Sequence, residues 1–439
     1  MKNQFQQLTD SSVLENYPKE VQSKVVLGAS KLSEDDFTMA LSLFEQSIAL
    51  DHQCGAAWLG KAYAEASLTF IDDQNHIPTI DHSLQTARKS FKEVAFFTNQ
   101  QARVLETLIG RITDELLEKL EMVRKAEIKA EQARNEAAIS ALVTGAALGY
   151  GLASEKRTGK VLGYGTAAIA GANMVASSNR ATEMSGLAGS VFGLLLAQCY
   201  VSTPVLKQAV EFKENLPATD RASMTKAINR WQAAAADCYN LQLSRLTSSL
   251  GQLRAKVSGT DALNSSGELD EGFQANFSEV SALKISAQMF GLNGHHSYAK
   301  LEHFLSELES TLHSDQAKQD FKKAKKQRKT ALCVSVAVII LSFVVMGIMG
   351  NSVDNPNSDE NQAIGTILGS LAFIGVGATF VFYKWKGLFK GQTQKKLGTL
   401  TKEFTEYVKN IKVSADDIVL SRTQGDAEAT YTGFTATAS

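Results

Sequence analysis

Residues 100–138 read QQARVLETLIGRITDELLEKLEMVRKAEIKAEQARNEAA, and this stretch decides the class of fold. Leu105, Leu108, Ile112, Leu116, Leu120 and Val123 recur three or four apart, the spacing that gathers side chains on one face of an α-helix, while charged residues fill the other face. No proline interrupts it. The spacing predicts a long amphipathic helix whose Ala/Glu/Lys-rich end, KAEIKAEQARNEAA, suits a solvated helix or a coiled coil. It can pair with a neighbour in its own domain or with another copy. The signature extends in both directions: only five of 439 residues are proline, helix formers crowd long stretches, and no sustained alternation of period two marks a strand. The chain is expected to be all-α.

A hydrophobic content of 44% over this length allows two or three domains with a sizeable core. The net charge of −1 gives no global attraction to nucleic acid, so none is expected as a partner. Cys54, Cys199, Cys238 and Cys333 form no CxxC pair and have no histidine at metal-ligand spacing, and read as free, reduced, mostly buried thiols. Met1–Asp10 is polar and no apolar core of signal-peptide type follows it, so the N-terminal part is expected to stay in the cytoplasm.

Two segments contain no charge: 331–350 (ALCVSVAVIILSFVVMGIMG) and 363–383 (AIGTILGSLAFIGVGATFVFY). At 1.5 Å per residue each reaches about 30 Å, the thickness of a bilayer's hydrocarbon core. The stretch between them holds Asp354, Asp359 and Glu360 and no Lys or Arg, whereas Lys318, Lys322, Lys323, Lys325, Lys326, Arg328 and Lys329 precede the first segment and Lys384, Lys386, Lys390, Lys395 and Lys396 follow the second. Basic flanks stay on the cytoplasmic side. The expectation is therefore a transmembrane hairpin in the inner (plasma) membrane with both chain ends in the cytoplasm. Phe380, Phe382, Tyr383 and Trp385 form its interfacial belt, and Lys322, Lys323, Lys325, Lys326, Arg328, Lys329, Lys384 and Lys386 lie where lipid headgroups are.

Small residues recur every fourth position between 137 and 197: Ala137, Ala141, Gly145, Gly149 and Ala153; Gly159, Gly163, Ala167 and Gly171; Ser185, Gly189, Gly193 and Ala197. Such spacing leaves a smooth groove that lets helix backbones touch. It resembles bacterial glycine-zipper segments, which makes Gly145, Gly149, Gly163, Gly189 and Gly193 candidate helix-packing positions and a homo-oligomer one kind of partner. A cytoplasmic N-terminus and a cytoplasmic cluster at 318–329 require an even number of crossings between them. Two would carry the net positive turn Glu155–Lys160 outward, and residues 161–179 are only weakly apolar. The expectation is no crossing, with the zipper packed near the membrane or entering it conditionally.

Residues 21–65 read as three short helices with a polar break at 33–36, where Ser33 can cap the next helix. Leu27 and Gly28, Ala40 and Phe44, Leu50 and Asp51, then Trp58, Ala62 and Ala64 stand where tetratricopeptide repeats place their packing residues. The segment from about 24 to 65 resembles one such repeat and the first helix of a second, although His52 replaces the proline that usually ends a repeat and Asp72–Asn75 interrupts the second unit. The small residues let paired helices approach while Phe44 and Trp58 fill the gap. The resemblance implies a protein-binding groove, with Phe44, Trp58 and Tyr63 as candidate contacts and an unidentified protein as the partner.

No constellation of residues carries catalysis. Gly163-Tyr164-Gly165 with Ala168 lacks the strand and βαβ setting of a dinucleotide fingerprint, and Thr158-Gly159-Lys160 lacks the upstream glycine of a phosphate loop. Ser223, Ser281 and Ser297 each precede a lysine by three residues without the other motifs of a serine acyl-enzyme. His296 and His303, with His295, are too far apart along a helix to share a metal. The sequons at Asn264 and Asn276 lie in a part expected to be cytoplasmic. No enzyme activity, cofactor or metal is expected.

The layout expected is a tetratricopeptide-like region at 1–98, the amphipathic helix at 99–136, zipper helices at 137–206, a helical region at 207–330 with a loop at 258–267, the hairpin at 331–383, and a basic flank, a short amphipathic helix at 397–413 and a polar tail at 384–439. The function expected is a membrane-anchored adaptor or scaffold that binds a protein partner on the cytoplasmic side. The alternative is a membrane-active effector whose zipper helices insert to form a pore or disturb the bilayer.

Overall fold

The computed structural model describes residues 5–71, 74–153, 157–259, 287–288, 290–292, 296–312, 314–320, 322–323, 326, 330 and 392–420. Among the described residues the regular elements are helices and no strand occurs, so the chain is all-α. The spans 331–350 and 363–383, nearly all of the loop expected at 258–267, the tail, Cys333 and both sequons lie outside the described residues.

The chain divides into two compact units. In the first, a short 3-10 turn at Gln6–Thr9 and a one-turn helix α1 (Ser11–Leu14) lead into α2 (Lys19–Ser33), α3 (Phe37–Leu50), α4 (Gly55–Leu68) and α5 (Ile77–Ser90), each of α2–α5 packed on the next. The break at 33–36 is present but Ser33 is not the cap. It stays in the last turn of α2, where its hydroxyl donates to the Ser30 carbonyl at 2.6 Å. The chain then turns through Asp35, in the left-handed conformation at φ 61°, and the Asp36 carboxylate accepts the Met39 N–H at 3.3 Å. Asp36 thus caps α3.

Phe44 of α3 is fully buried between glycines of its two neighbours. A methyl group on Gly28 of α2 would lie 2.9 Å from its ring, and one on Gly60 of α4 would lie 2.3 Å from it. Ala40, Ala62 and Ala64 are buried as expected, whereas Leu27 and Leu50 face outward, about half exposed. Alanine gains about 1 kcal/mol over glycine inside a helix, and overpacking costs about 1–3 kcal/mol. Gly28→Ala should therefore be near neutral and Gly60→Ala destabilising in urea melts. Equal midpoints for the two variants would mean that the ring moves aside freely.

Helix α6 (Val94–Ala153) is continuous through the boundary expected at 136/137, and α7 (Arg157–Lys213) through that at 206/207. The change from charged to small residues does not end a helix, because alanine sustains it and neighbouring helices supply packing. Along α6 the predicted stripe Leu105, Leu108, Ile112, Leu116, Leu120 and Val123 is buried throughout. The two helices run antiparallel, with Arg134 donating to Ser185 at 2.6 Å and Arg180 to Glu136 at 3.4 Å. Helix α8 (Ala218–Gly259) starts parallel to α6, tied by Asn99 to Asp220 (2.7 Å), Arg230 to Asp114 (2.6 Å) and Arg124 to Asp237 (3.3 Å). Between α7 and α8 the sequence-distant Cys199 and Cys238 meet as buried free thiols in hydrogen-bond contact, and burial, with the Cys199 bond next, pushes the Cys238 thiol well up.

The buried Trp231 of α8 closes this unit. Phe290 packs on it with ring centroids 6.3 Å apart, Gln232 donates to the Ile418 carbonyl at 2.8 Å, and the Val419 N–H donates to the Phe290 carbonyl at 3.2 Å. Gly291, at φ 67°, is required here because a Cβ would stand 2.1 Å from the Val419 carbonyl oxygen.

In the second unit, α9 (His296–Leu312) and α10 (Gln392–Asn410) run antiparallel. Phe304 stacks on Phe404 at 5.4 Å, Lys300 lies over Tyr407 at 5.6 Å, and Lys396 pairs with Glu307 at 3.1 Å. Helix α10 starts five residues before the 397 expected and ends at 410, because the Val413 N–H and carbonyl leave the helix to bond the Asn240 side chain at 2.9 and 2.7 Å. Its buried Leu397, Leu400, Thr401, Phe404 and Val408 form the expected amphipathic stripe.

Candidate functional site

Of the three residues expected to meet a protein partner, the structure exposes one. Phe44 is the buried wedge described above, so it packs the helices and presents nothing outward. Tyr63 of α4 is also buried: its hydroxyl donates to the Gln100 side-chain oxygen at 3.2 Å, and burial raises its pKa. Only Trp58 remains partly open. Its indole N–H donates to the His52 carbonyl at 2.9 Å, its ring meets His82 edge to face at 5.6 Å, and Lys61 lies over it at 5.8 Å.

What covers Tyr63 is the chain's own beginning. Phe5 meets its ring edge to face at 5.3 Å, the 3-10 turn packs on both α2 and α4, Leu8 and Leu14 are buried, and Gln7 accepts a hydrogen bond from Gln100 of α6. A ten-residue stretch, 5–14, therefore occupies the surface shared by α2, α4 and the start of α6. This was missed in the sequence because Phe5, Leu8, Val13 and Leu14 are scattered among polar residues, although Phe5 and Leu8 share a helical spacing.

A second feature absent from the sequence reading is Glu65. It is buried on α4, where its carboxylate accepts the Ser83 hydroxyl at 3.1 Å and lies 3.8 Å from the Lys61 ammonium. Burial raises its pKa to about 7, offset in part by Lys61 and by hydrogen bonds from Thr79 and Ser83. A carboxyl whose pKa is raised on folding binds a proton more tightly in the native state, so it favours folding at low pH and that contribution is lost as pH rises through about 7. Wild type should lose about 3 kcal/mol from this group between pH 4 and pH 8. Glu65→Gln should flatten that part of the profile, and urea midpoints across the range measure it; parallel profiles would contradict it.

The residues expected at lipid headgroups are seen in part. Lys322, Lys323 and Lys326 are exposed, and Lys325, Arg328, Lys329, Lys384 and Lys386 lie outside the described residues. On either side of the undescribed stretch the chain is cross-linked to itself: the Asp320 carboxylate accepts the Thr393 hydroxyl at 2.7 Å and its N–H at 3.2 Å, bonds that hold Asp320 below the usual carboxylate range. Residues before the first expected span and after the second are thus held together at Asp320 and Thr393.

Among the glycines expected to pack helices, Gly193 departs from the expectation. A Cβ there would meet nothing within 4 Å, and the same holds for Gly186 one pair of turns earlier. Both lie on the outward side of α7 with the exposed Leu187, Leu194 and Tyr200. The buried Ala181, Ala188, Phe192 and Leu195 lie on the opposite side of the helix instead. Gly189 is half-buried, and the surroundings of Gly145, Gly149 and Gly163 lie outside the described side chains. One described helical stretch, Ala172–Lys213, is long and apolar enough to cross a membrane, and 28% of its apolar window is buried.

Among the described residues no three histidine, cysteine or acidic side chains converge as a metal site, and His303 is exposed. No family model matches the chain, and neither a curated protein nor a solved structure matches it.

Proposed function

We propose that the protein is a membrane-anchored helical adaptor whose α2, α4 and α6 surface takes up a short helical peptide from a protein partner. The observation that carries this reading is that the surface already holds such a peptide, residues 5–14 of the same chain, through Phe5 on Tyr63, the buried Leu8 and Leu14, and the Gln7–Gln100 hydrogen bond. The stacked helices α2–α5 accord with the tetratricopeptide resemblance, a repeat architecture used for binding proteins. Anchoring rests on the two uncharged segments, the basic flanks and the joining of those flanks through Asp320 and Thr393. Flanks that meet at Asp320 and Thr393 fit an even number of crossings between them, which would keep both flanks on one side.

A tethered segment competes at an effective concentration near millimolar, so it masks the surface from a peptide in solution. A fluorescein-labelled peptide of residues 2–16 should bind the detergent-solubilised Phe5→Ala/Leu8→Ala protein at least tenfold more tightly than wild type. Adding Tyr63→Ala should abolish the gain. Equal binding by wild type and the double variant would remove the peptide-binding reading.

A further inference from the structure

The α6–α7 pair changes character at one level. Among the described residues Arg180 to Glu136 is its last ion pair, with Arg134 bonded to Ser185 on the other side of it. Beyond that level, toward the end of the pair, residues 137–153 of α6 carry no charge, and neither do residues 161–179 of α7. Five large apolar side chains there are turned outward while Ala170 and Ser177 are buried: Ile139, Leu142 and Val143 on one arm and Ile169 and Val175 on the other are exposed, Leu142 by 75% and Ile169 by 68%. Below that level the same helices behave differently. Residues 110–132 of α6 are dense in charge, and α7 buries Gln198, Ser202, Thr203, Lys207 and Gln208 beside its apolar residues.

A helix made to pack on one protein partner keeps charge on its opposite face, as α6 does between 100 and 136. Here both arms lack charge all round and expose the apolar Ile139, Leu142, Val143, Ile169 and Val175, so an uncharged, largely apolar surrounding fits them. A bilayer meets that demand and a single docking protein does not. The lengths agree. Seventeen residues reach about 26 Å and nineteen about 28 Å, close to the hydrocarbon thickness of about 30 Å.

We infer that residues 137–153 of α6 and 157–179 of α7 are a second membrane-contacting element, a pair of helix ends that enters the bilayer to the level of Glu136 and Arg180. The stretch from 184 onward stays outside with the charged half of α6, so the inserting element is shorter than the apolar stretch of α7 and includes α6. Because both arms enter together, the rest of the chain stays on one side and the even number of crossings is kept. This replaces the expected absence of crossing with two crossings, and makes the conditional entry of the glycine-rich helices specific to these two arms. The main cost is Lys156, Arg157 and Lys160 at the far end, so entry favours a bilayer whose anionic headgroups receive those cations.

The test uses the full chain reconstituted in vesicles of phosphatidylethanolamine and phosphatidylglycerol, with Cys333 replaced by serine and the buried thiols left in place. An environment-sensitive fluorophore is attached at Leu142→Cys, Ile169→Cys or, as the reference in the charged half, Ile128→Cys. Labels at 142 and 169 should shift to the blue and be quenched by lipids carrying a mid-chain spin label, at least threefold more than the label at 128. Leu142→Arg with the label at 169 should reduce the quenching. Emission at 142 and 169 that matches the water-exposed label at 128 would overturn the proposal. So would a blue shift without quenching by lipid, which would assign the face to a protein, such as a second copy. Peptide binding at α2 and α4 involves none of these residues, so each proposal fails independently of the other.

Discussion

Trp231→Ala should destabilise the first unit by about 3–5 kcal/mol, the usual cost of emptying a buried aromatic site. Trp231 is among the largest fully buried side chains described, and its ring carries Phe290, whose carbonyl in turn holds the 414–420 strip through the Val419 N–H. Among the described residues its indole N–H has no hydrogen-bond partner, so the substitution loses packing with no polar bond to lose beside it. Trp231→Phe removes that buried unpartnered donor while keeping most of the ring, and should cost much less. Urea unfolding gives the total, and hydrogen exchange at residues 414–420 gives the local part. Unchanged protection of that strip in Trp231→Ala would show that its hydrogen bonds to Gln232 and Phe290 do not depend on the ring.

Replacing residues 331–383 by a short glycine-serine linker should move the protein from a carbonate-resistant membrane fraction to the soluble fraction. The size of this effect follows from two segments of 20 and 21 uncharged residues, each able to span the hydrocarbon core. The expectation that the shortened chain stays folded comes from the geometry of its flanks. Asp320 and Thr393 are already bonded, and α9 and α10 are held by Phe304 on Phe404 and by Lys396 on Glu307, so a linker has little distance to close. Retention in the membrane after an alkaline wash would mean that these segments are not the anchor.

The all-α class and the stripe of α6 were legible because a period of three to four apolar residues specifies a helix face without reference to anything else in the chain. The Phe44 packing was half legible. Gly28 and Ala40 stood at repeat spacing, but Gly60, the closer of the two glycines to the ring, did not announce itself, because close approach depends on which helices become neighbours. The same limit hid the occupied surface. A segment of ten residues with four large apolar side chains has no period long enough to read, and its place on Tyr63 is set by packing across the whole unit. Buried Glu65 and the Cys199–Cys238 contact were hidden for that reason as well. Spacing suggested that Gly193 packs a helix, yet it faces open space: a small-residue pattern tells which side of a helix is smooth, not whether a partner lies there.

That the helical body lies on one side of a bilayer, with residues 351–362 carried to the other, is the claim on which the adaptor reading depends. Single cysteines at Ser358, Ser310 and Ser12 in a Cys333→Ser background test it most directly, since the native thiols described are buried and Ser310 and Ser12 are exposed. With a membrane-impermeant thiol reagent, intact cells should be labelled at Ser358→Cys alone, and the other two should react only after the cells are opened; labelling at Ser310→Cys or Ser12→Cys in intact cells, or none at Ser358→Cys, would contradict the account.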